Sequence, residues 1–205
     1  MLRGMDRSAI FADQEDRRTF LRRLGENLLE GGCAVYAWVL MNNHAHLLFK
    51  SGRLGISGIM RRLLTGYAQY YNRRHSRTGH LFENRYKSIL CEEDAYLLAL
   101  VRYIHLNPIR AKVVATLIEL DRYPWSGHRA IMGKAQFPWM DTEYVLVNQG
   151  ESGDIIPILS LPLSADSHSI PAWPVSHASL FRATPTMQPS GASARCRCFT
   201  ELRSA

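Results

Sequence analysis

Tyr36-Ala-Trp-Val-Leu-Met-Asn-Asn-His-Ala-His-Leu-Leu-Phe-Lys50 is the stretch on which the fold turns. Val35, Ala37, Val39 and Leu40 on one side, and Leu47, Leu48 and Phe49 on the other, read as two buried strands of a hairpin. Met41-Asn42-Asn43 supplies the turn, because asparagine tolerates the left-handed conformations tight turns need. Side chains alternate across a strand, so His44 and His46 project from the same face. Two imidazoles on one face of a core strand form a metal-ligand geometry, although a structural role is equally open to the pair taken alone.

A second segment bears on that choice. Leu97, Leu100, Val101 and Ile104 recur at helical spacing, Glu93 or Asp94 can cap the start, and Pro108 is expected to end the helix. Tyr103 and Asn107, four residues apart, then share a face of its last turn. Brought against the two imidazoles, they would make a nucleophile beside a three-ligand divalent metal site. The plainer alternative is a core tyrosine and an asparagine satisfying the helix end.

Working outward, Asp13 or Asp16 is expected to start a helix carrying Phe20, Leu21, Leu24 and Leu28, stopped by Gly31-Gly32. A longer helix is expected from about Ile56 to Asn72, with Ile56, Ile59, Met60, Leu63, Leu64, Tyr67, Tyr70 and Tyr71 as its apolar stripe. A strand around Tyr86 to Glu92 follows the basic loop from Arg73 to His80. Tyr123-Pro-Trp-Ser126 reads as a turn with two aromatic anchors, and Tyr144 to Val147 as one further short element. The order helix, strand, strand, helix, strand, helix gives an α+β class. With one strand placed ahead of it, the pattern is a ferredoxin-like split βαβ sheet with helices on one face. Residues 1–150 are expected to form this domain, and 151–205, rich in Pro and Ser, a disordered tail.

The net charge of +7 is concentrated. Nine basic residues lie between Lys50 and Leu90, against Glu83 as the sole acid, so the remainder of the chain is close to neutral. Such a concentration favours a polyanion, nucleic acid first. Neither a signal peptide nor an apolar run of membrane length is visible, and a cytoplasmic protein without a membrane partner is expected. Cys33, Cys91, Cys196 and Cys198 are too few and scattered for a disulfide framework; Cys33 and Cys91 read as small buried residues of strands.

Three stretches together, AWVLMNNHAHLLF from Ala37, RRHSRTGHLFENRYKSIL from Arg73 and RYIHLNPIRAKVV from Arg102, resemble the REP-associated tyrosine transposases, members of the HUH single-strand transposases of insertion sequences. The likeness runs over roughly residues 3 to 128. It implies His44 and His46 as metal ligands, Asn107 as a third, carboxamide ligand, and Tyr103 as the nucleophile. It also implies a divalent cofactor, magnesium or manganese, and a single-stranded or hairpin DNA substrate cut through a 5′-phosphotyrosine link. Arg73, Arg74, Arg77, His80, Arg85 and Lys87 are the candidate DNA contacts, with Tyr70 or Tyr86 as a base-stacking platform. Family members carry a strand ahead of the segment matching Arg3 to Arg7. Only Met1 and Leu2 precede it here, so the first strand is expected to be missing and the histidine strand to show an open edge. Two other readings are a hairpin DNA- or RNA-binding module derived from such an enzyme, and a metallohydrolase in which the histidines activate water.

Overall fold

The computed structural model describes residues 1–83, 86, 88–91, 94–151 and 196–198, with 89–91, 94–96, 148–151 and 196–198 as backbone. The first long helix, α1 (Gln14–Gly31), begins where the sequence places it. Asp13 accepts from the Asp16 N–H at 3.0 Å, and the Asp16 carboxylate accepts in return from the N–H of Asp13 and, at 2.8 Å, from that of Ala12. These reciprocal bonds satisfy amides a helix start leaves without partners. Gly32, at φ +64°, takes the left-handed position that ends α1. Phe20, Leu24 and Leu28 are buried, while Leu21 sits at the margin of that face.

Helix α2 (Gly55–Arg74) packs on α1 through a ring cluster. Phe20 and Phe11 lie 5.4 Å apart, and Phe20 and Tyr67 5.1 Å apart, both edge-on. The buried Tyr67 hydroxyl donates to the Ile10 carbonyl at 2.6 Å. At the far end, Arg74 reaches Asp13 and Asp16, each at 2.6 Å, and His75 lies 3.0 Å from Asp16. Burial by itself would raise the Asp16 pKa, yet the bonds from His75, the Ala12 N–H and Arg74 outweigh it and hold the carboxyl below its usual range.

Strands β2 (Ala34–Leu40) and β3 (His44–Lys50) form the expected antiparallel hairpin, with Val39 opposite His46 and Leu40 opposite Ala45. On the other edge of β3, β1 (Leu2–Arg3) pairs with Ala45 and His44. Further along that edge, β5 (Cys196–Cys198) pairs with Leu48 to Lys50 and, beyond it, with β4 (Ile89–Cys91). The expected absence of a first strand is therefore corrected: two residues suffice to start it. The open edge is corrected as well, because β1 and β5 between them supply ladder partners along β3. The order β1, α1, β2, β3, α2, β4 follows the expected sequence of elements.

Trp38, Val39, Ala45, Leu47 and Leu48 are all fully buried, and consecutive buried residues on a strand mean that both faces are covered. The outer edge of β2 is sealed by the C-terminal part of the domain. The Leu40 N–H bonds the Trp125 carbonyl, the Gly127 N–H the Trp38 carbonyl, and the Val35 N–H the Trp139 carbonyl. Tyr123 anchors this seam by donating to the Leu40 carbonyl at 2.9 Å.

Helix α3 (Asp94–His105) lies against β2 and β3. Helix α3 stops at His105, just ahead of Pro108, as expected. Pro108 then sits in the first turn of a separate helix, α4 (Asn107–Arg110), where its missing donor would have no partner anyway. Helices α5 (Leu117–Arg122), α6 (His128–Ile131) and α7 (Thr142–Glu151) complete the described chain, α7 covering the short element read at Tyr144 to Val147. Cys33 is buried just ahead of β2. Among the described residues, no helix is long and apolar enough to cross a membrane.

Candidate active site

Strand β3 starts at His44, directly after the turn, and the pleat carries His44 and His46 to one face. Their ring centroids are 5.1 Å apart with planes near perpendicular at 86°. His46 is buried, whereas His44 is half-buried. Helix α3 delivers Tyr103 to this pair: its ring stands edge-on to His46, with centroids 6.1 Å apart. Residues distant along the chain thus meet as expected from the two motifs.

Asn107 turns its Nδ2 back to donate to the Tyr103 carbonyl at 3.1 Å. That bond satisfies the helix end, as the plainer reading held, and it also identifies Oδ1 as the amide's acceptor atom. Arg110 places its guanidinium carbon 4.8 Å from the Tyr103 ring centroid. Tyr103, Asn107 and Arg110 stand at i, i+4 and i+7, the spacing of one helix face, and this was the sequence signal for Arg110.

Asn43, read from sequence only as a turn residue, has a second task. Its Oδ1 lies 2.7 Å from His44 Nδ1, and its Nδ2 donates to the Arg7 carbonyl at 3.0 Å. With the amide nitrogen committed as donor, the amide oxygen accepts, so Nδ1 of His44 carries the proton and Nε2 the lone pair. Arg7 and its neighbour Asp6 hold left-handed backbone, at φ +60° and +50°. A cavity of about 350 Å³ opens beside His44, between Arg7, Asn42 and Asn43 on one side and Ala111 and Val113 on the other.

His105, two residues from Tyr103, stays out of this arrangement. It is fully buried, with its ring centroid 5.9 Å from that of His128, and neither of its nitrogens has a hydrogen-bond partner. Burial, with His128 nearby, pushes its pKa down to about 3, so it is neutral. Among the described residues, no three His, Cys, Asp or Glu side chains gather as a metal cage. The donor set on offer is two imidazoles on β3, with the Asn107 carboxamide at the start of α4.

The candidate DNA contacts divide. Arg73, Arg77 and His80 are exposed, Arg77 resting 5.8 Å over the Tyr71 ring. Arg74 is held by Asp13 and by the fully buried Asp16, so its charge is met within the fold. Tyr70 packs against Tyr67, and the Tyr86 hydroxyl lies 2.8 Å from Ser57 Oγ. Arg85 and Lys87 lie outside the described residues.

Compared with known families, residues 1–107 match the model described as transposase IS200 like. The chain belongs to that family. The match takes in β1, both histidines and Tyr103 and reaches Asn107. Membership in the IS200-like transposases implies an enzyme that cleaves and transfers DNA strands, with DNA as its partner. Neither the search of curated proteins nor that of solved structures returned a match.

Proposed function

We propose that this IS200-like transposase cuts and rejoins single-stranded or hairpin DNA through Tyr103, on a ferredoxin-like scaffold. The observation that carries the reading is the placement of the Tyr103 ring against His46, on a helix packed over the histidine strand. The Tyr103 phenolic oxygen attacks the scissile phosphorus and forms a 5′-phosphotyrosine bond. The bond from phosphorus to O3′ breaks, and the phenolic proton passes through solvent to the departing 3′-oxygen, which leaves as a hydroxyl. Attack by a second 3′-hydroxyl reverses these steps and releases the tyrosine.

The residues fit a divalent ion, magnesium or manganese. His44 would offer Nε2, the nitrogen left basic by Asn43; His46 and the Asn107 Oδ1 would complete the set. When bound, the ion would offset charge building on the phosphate. Arg110 favours the phenolate by lying over the Tyr103 ring, since a phenol is a weak nucleophile near neutral pH. Arg73, Arg77 and His80, with Arg85 and Lys87, would hold the backbone of the strand.

The test is a denaturing gel of the full chain with 3′-labelled single-stranded DNA and manganese. A covalent adduct is expected, absent in Tyr103→Phe, with DNA binding kept in that variant. An adduct that survives the substitution would reject the nucleophile. Binding with no adduct in the unmodified chain would favour the non-cutting module.

A further inference from the structure

Beyond the residues the family match covers, α5 and α6 pack together around a cavity of about 460 Å³. Its walls are Ile118, Asp121, Arg122, Arg129 and Lys134: three cations, one carboxylate and one aliphatic side chain. The carboxylate is already engaged at both oxygens. His128 Nε2 lies 2.9 Å from Oδ1, and Lys134 Nζ donates to Oδ2 at 2.6 Å. These bonds lower the Asp121 pKa, the Lys134 bond first, and keep the residue an anion with its lone pairs occupied. Arg122 and Arg129 are different. Among the described residues neither meets a carboxylate, and the Arg129 Nε is buried without a hydrogen-bond partner.

A guanidinium N–H withdrawn from water without an acceptor is costly, and a second guanidinium on the same wall compounds the repulsion. A tetrahedral oxyanion accepting from the terminal nitrogens of both forks would offset the paired positive charge on this wall. Ile118, 67% exposed on the rim, adds an apolar surface of the kind a sugar or base can cover. The sequence alone conceals this site, because Arg122, Arg129 and Lys134 lie in the part of the chain with little net charge.

We propose that this cavity seats a phosphodiester of the DNA substrate, so that α5 and α6 provide a second grip on the strand. The proposal rests on the strand-transfer reading only for the identity of the polymer.

The experiment measures binding of labelled single-stranded DNA to the full chain by anisotropy across a salt series, for the unmodified chain and for the Arg122→Ala, Arg129→Ala double variant. Loss of two phosphate contacts is expected to weaken binding roughly 10-fold at low salt and flatten the log–log salt slope by about 1.4. Unchanged affinity and slope, in a variant that melts like the unmodified chain, would overturn the proposal. If the alanine variant does not fold, Arg122→Gln with Arg129→Lys replaces it and is expected to lose about half of the slope change; no change overturns the proposal equally. A rise in melting temperature with inorganic phosphate, with DNA binding indifferent to both substitutions, would assign the cavity to a small phosphate ligand instead. Tyr103→Phe is run alongside. A missing adduct in the unmodified chain with arginine-dependent binding intact rejects the nucleophile and keeps the grip, and the reverse result does the opposite.

Discussion

At the scale of the residue, the chemistry depends on side chains whose neighbours select one state. Asn43 fixes the tautomer of His44, since its amide has a donor and an acceptor end and both are used; under the proposed metal reading this leaves Nε2 to face the ion. Asn43→Ala removes that orientation without touching the ligands themselves. Manganese affinity by calorimetry is expected to fall about 10- to 100-fold, and an unchanged affinity would show that Asn43 serves only the turn. In the proposed reaction Arg110 would act through the ring of Tyr103, over which it lies. Arg110→Ala is expected to slow adduct formation by about 2- to 5-fold, the worth of an exposed cation–π contact, and Arg110→Lys to recover part of it. Rapid-quench measurement of the first turnover separates this from any effect on DNA affinity.

At the scale of the element, the start of α1 is tied to the end of α2 through one buried carboxylate. Asp16 accepts from a backbone amide, Arg74 and His75, so its removal breaks a cap and an interhelix tie together. Asp16→Ala is expected to cost about 3 kcal/mol of stability, read by urea unfolding. The sign with pH follows from the depressed pKa. The stabilisation is complete above the unfolded-state value near ~3.9 and is lost as pH falls through the lower folded value. The unmodified chain should therefore lose stability in acid more steeply than Asp16→Ala. The same ion pairs explain why counting charges along α2 overstates the DNA-binding surface: Arg74 is basic in composition and neutralised in place.

At the scale of the whole molecule, Arg73 with Arg77 and Arg122 with Arg129 are two groups of arginines that, among the described residues, no carboxylate neutralises. If each holds backbone phosphates, the Arg73→Ala, Arg77→Ala pair and the Arg122→Ala, Arg129→Ala pair should flatten the salt slope independently. The four-fold variant should show the sum, about 2.8, in the same anisotropy series. A four-fold variant no weaker than either pair would mean that one patch is idle. The molecule also seals its sheet from afar, with residues 125–141 along β2 and the 196–198 segment along β3. By composition, residues 151–205 read as a disordered tail; residues 196–198 instead pair along β3, about which composition carries no information, and 152–195 and 199–205 lie outside the described residues.

What was legible in the sequence was local. Periodicity placed the hairpin and the helices, the Asp13 cap and Gly32 stop bounded α1, and alternation put His44 and His46 on one face, because each depends on residues within a turn or two of one another. The spacing of Tyr103, Asn107 and Arg110 was equally present, and only the weight of Arg110 was missed. Tertiary structure decided the rest: that Tyr103 meets His46, that both sheet faces are covered, that Arg74 is consumed by Asp16 while Arg122 and Arg129 find no acid among the described residues. Those outcomes join residues far apart along the chain, and their partners are chosen by the packing of the whole core, where the same arginine is neutralised or left charged according to which carboxylate the fold brings near it.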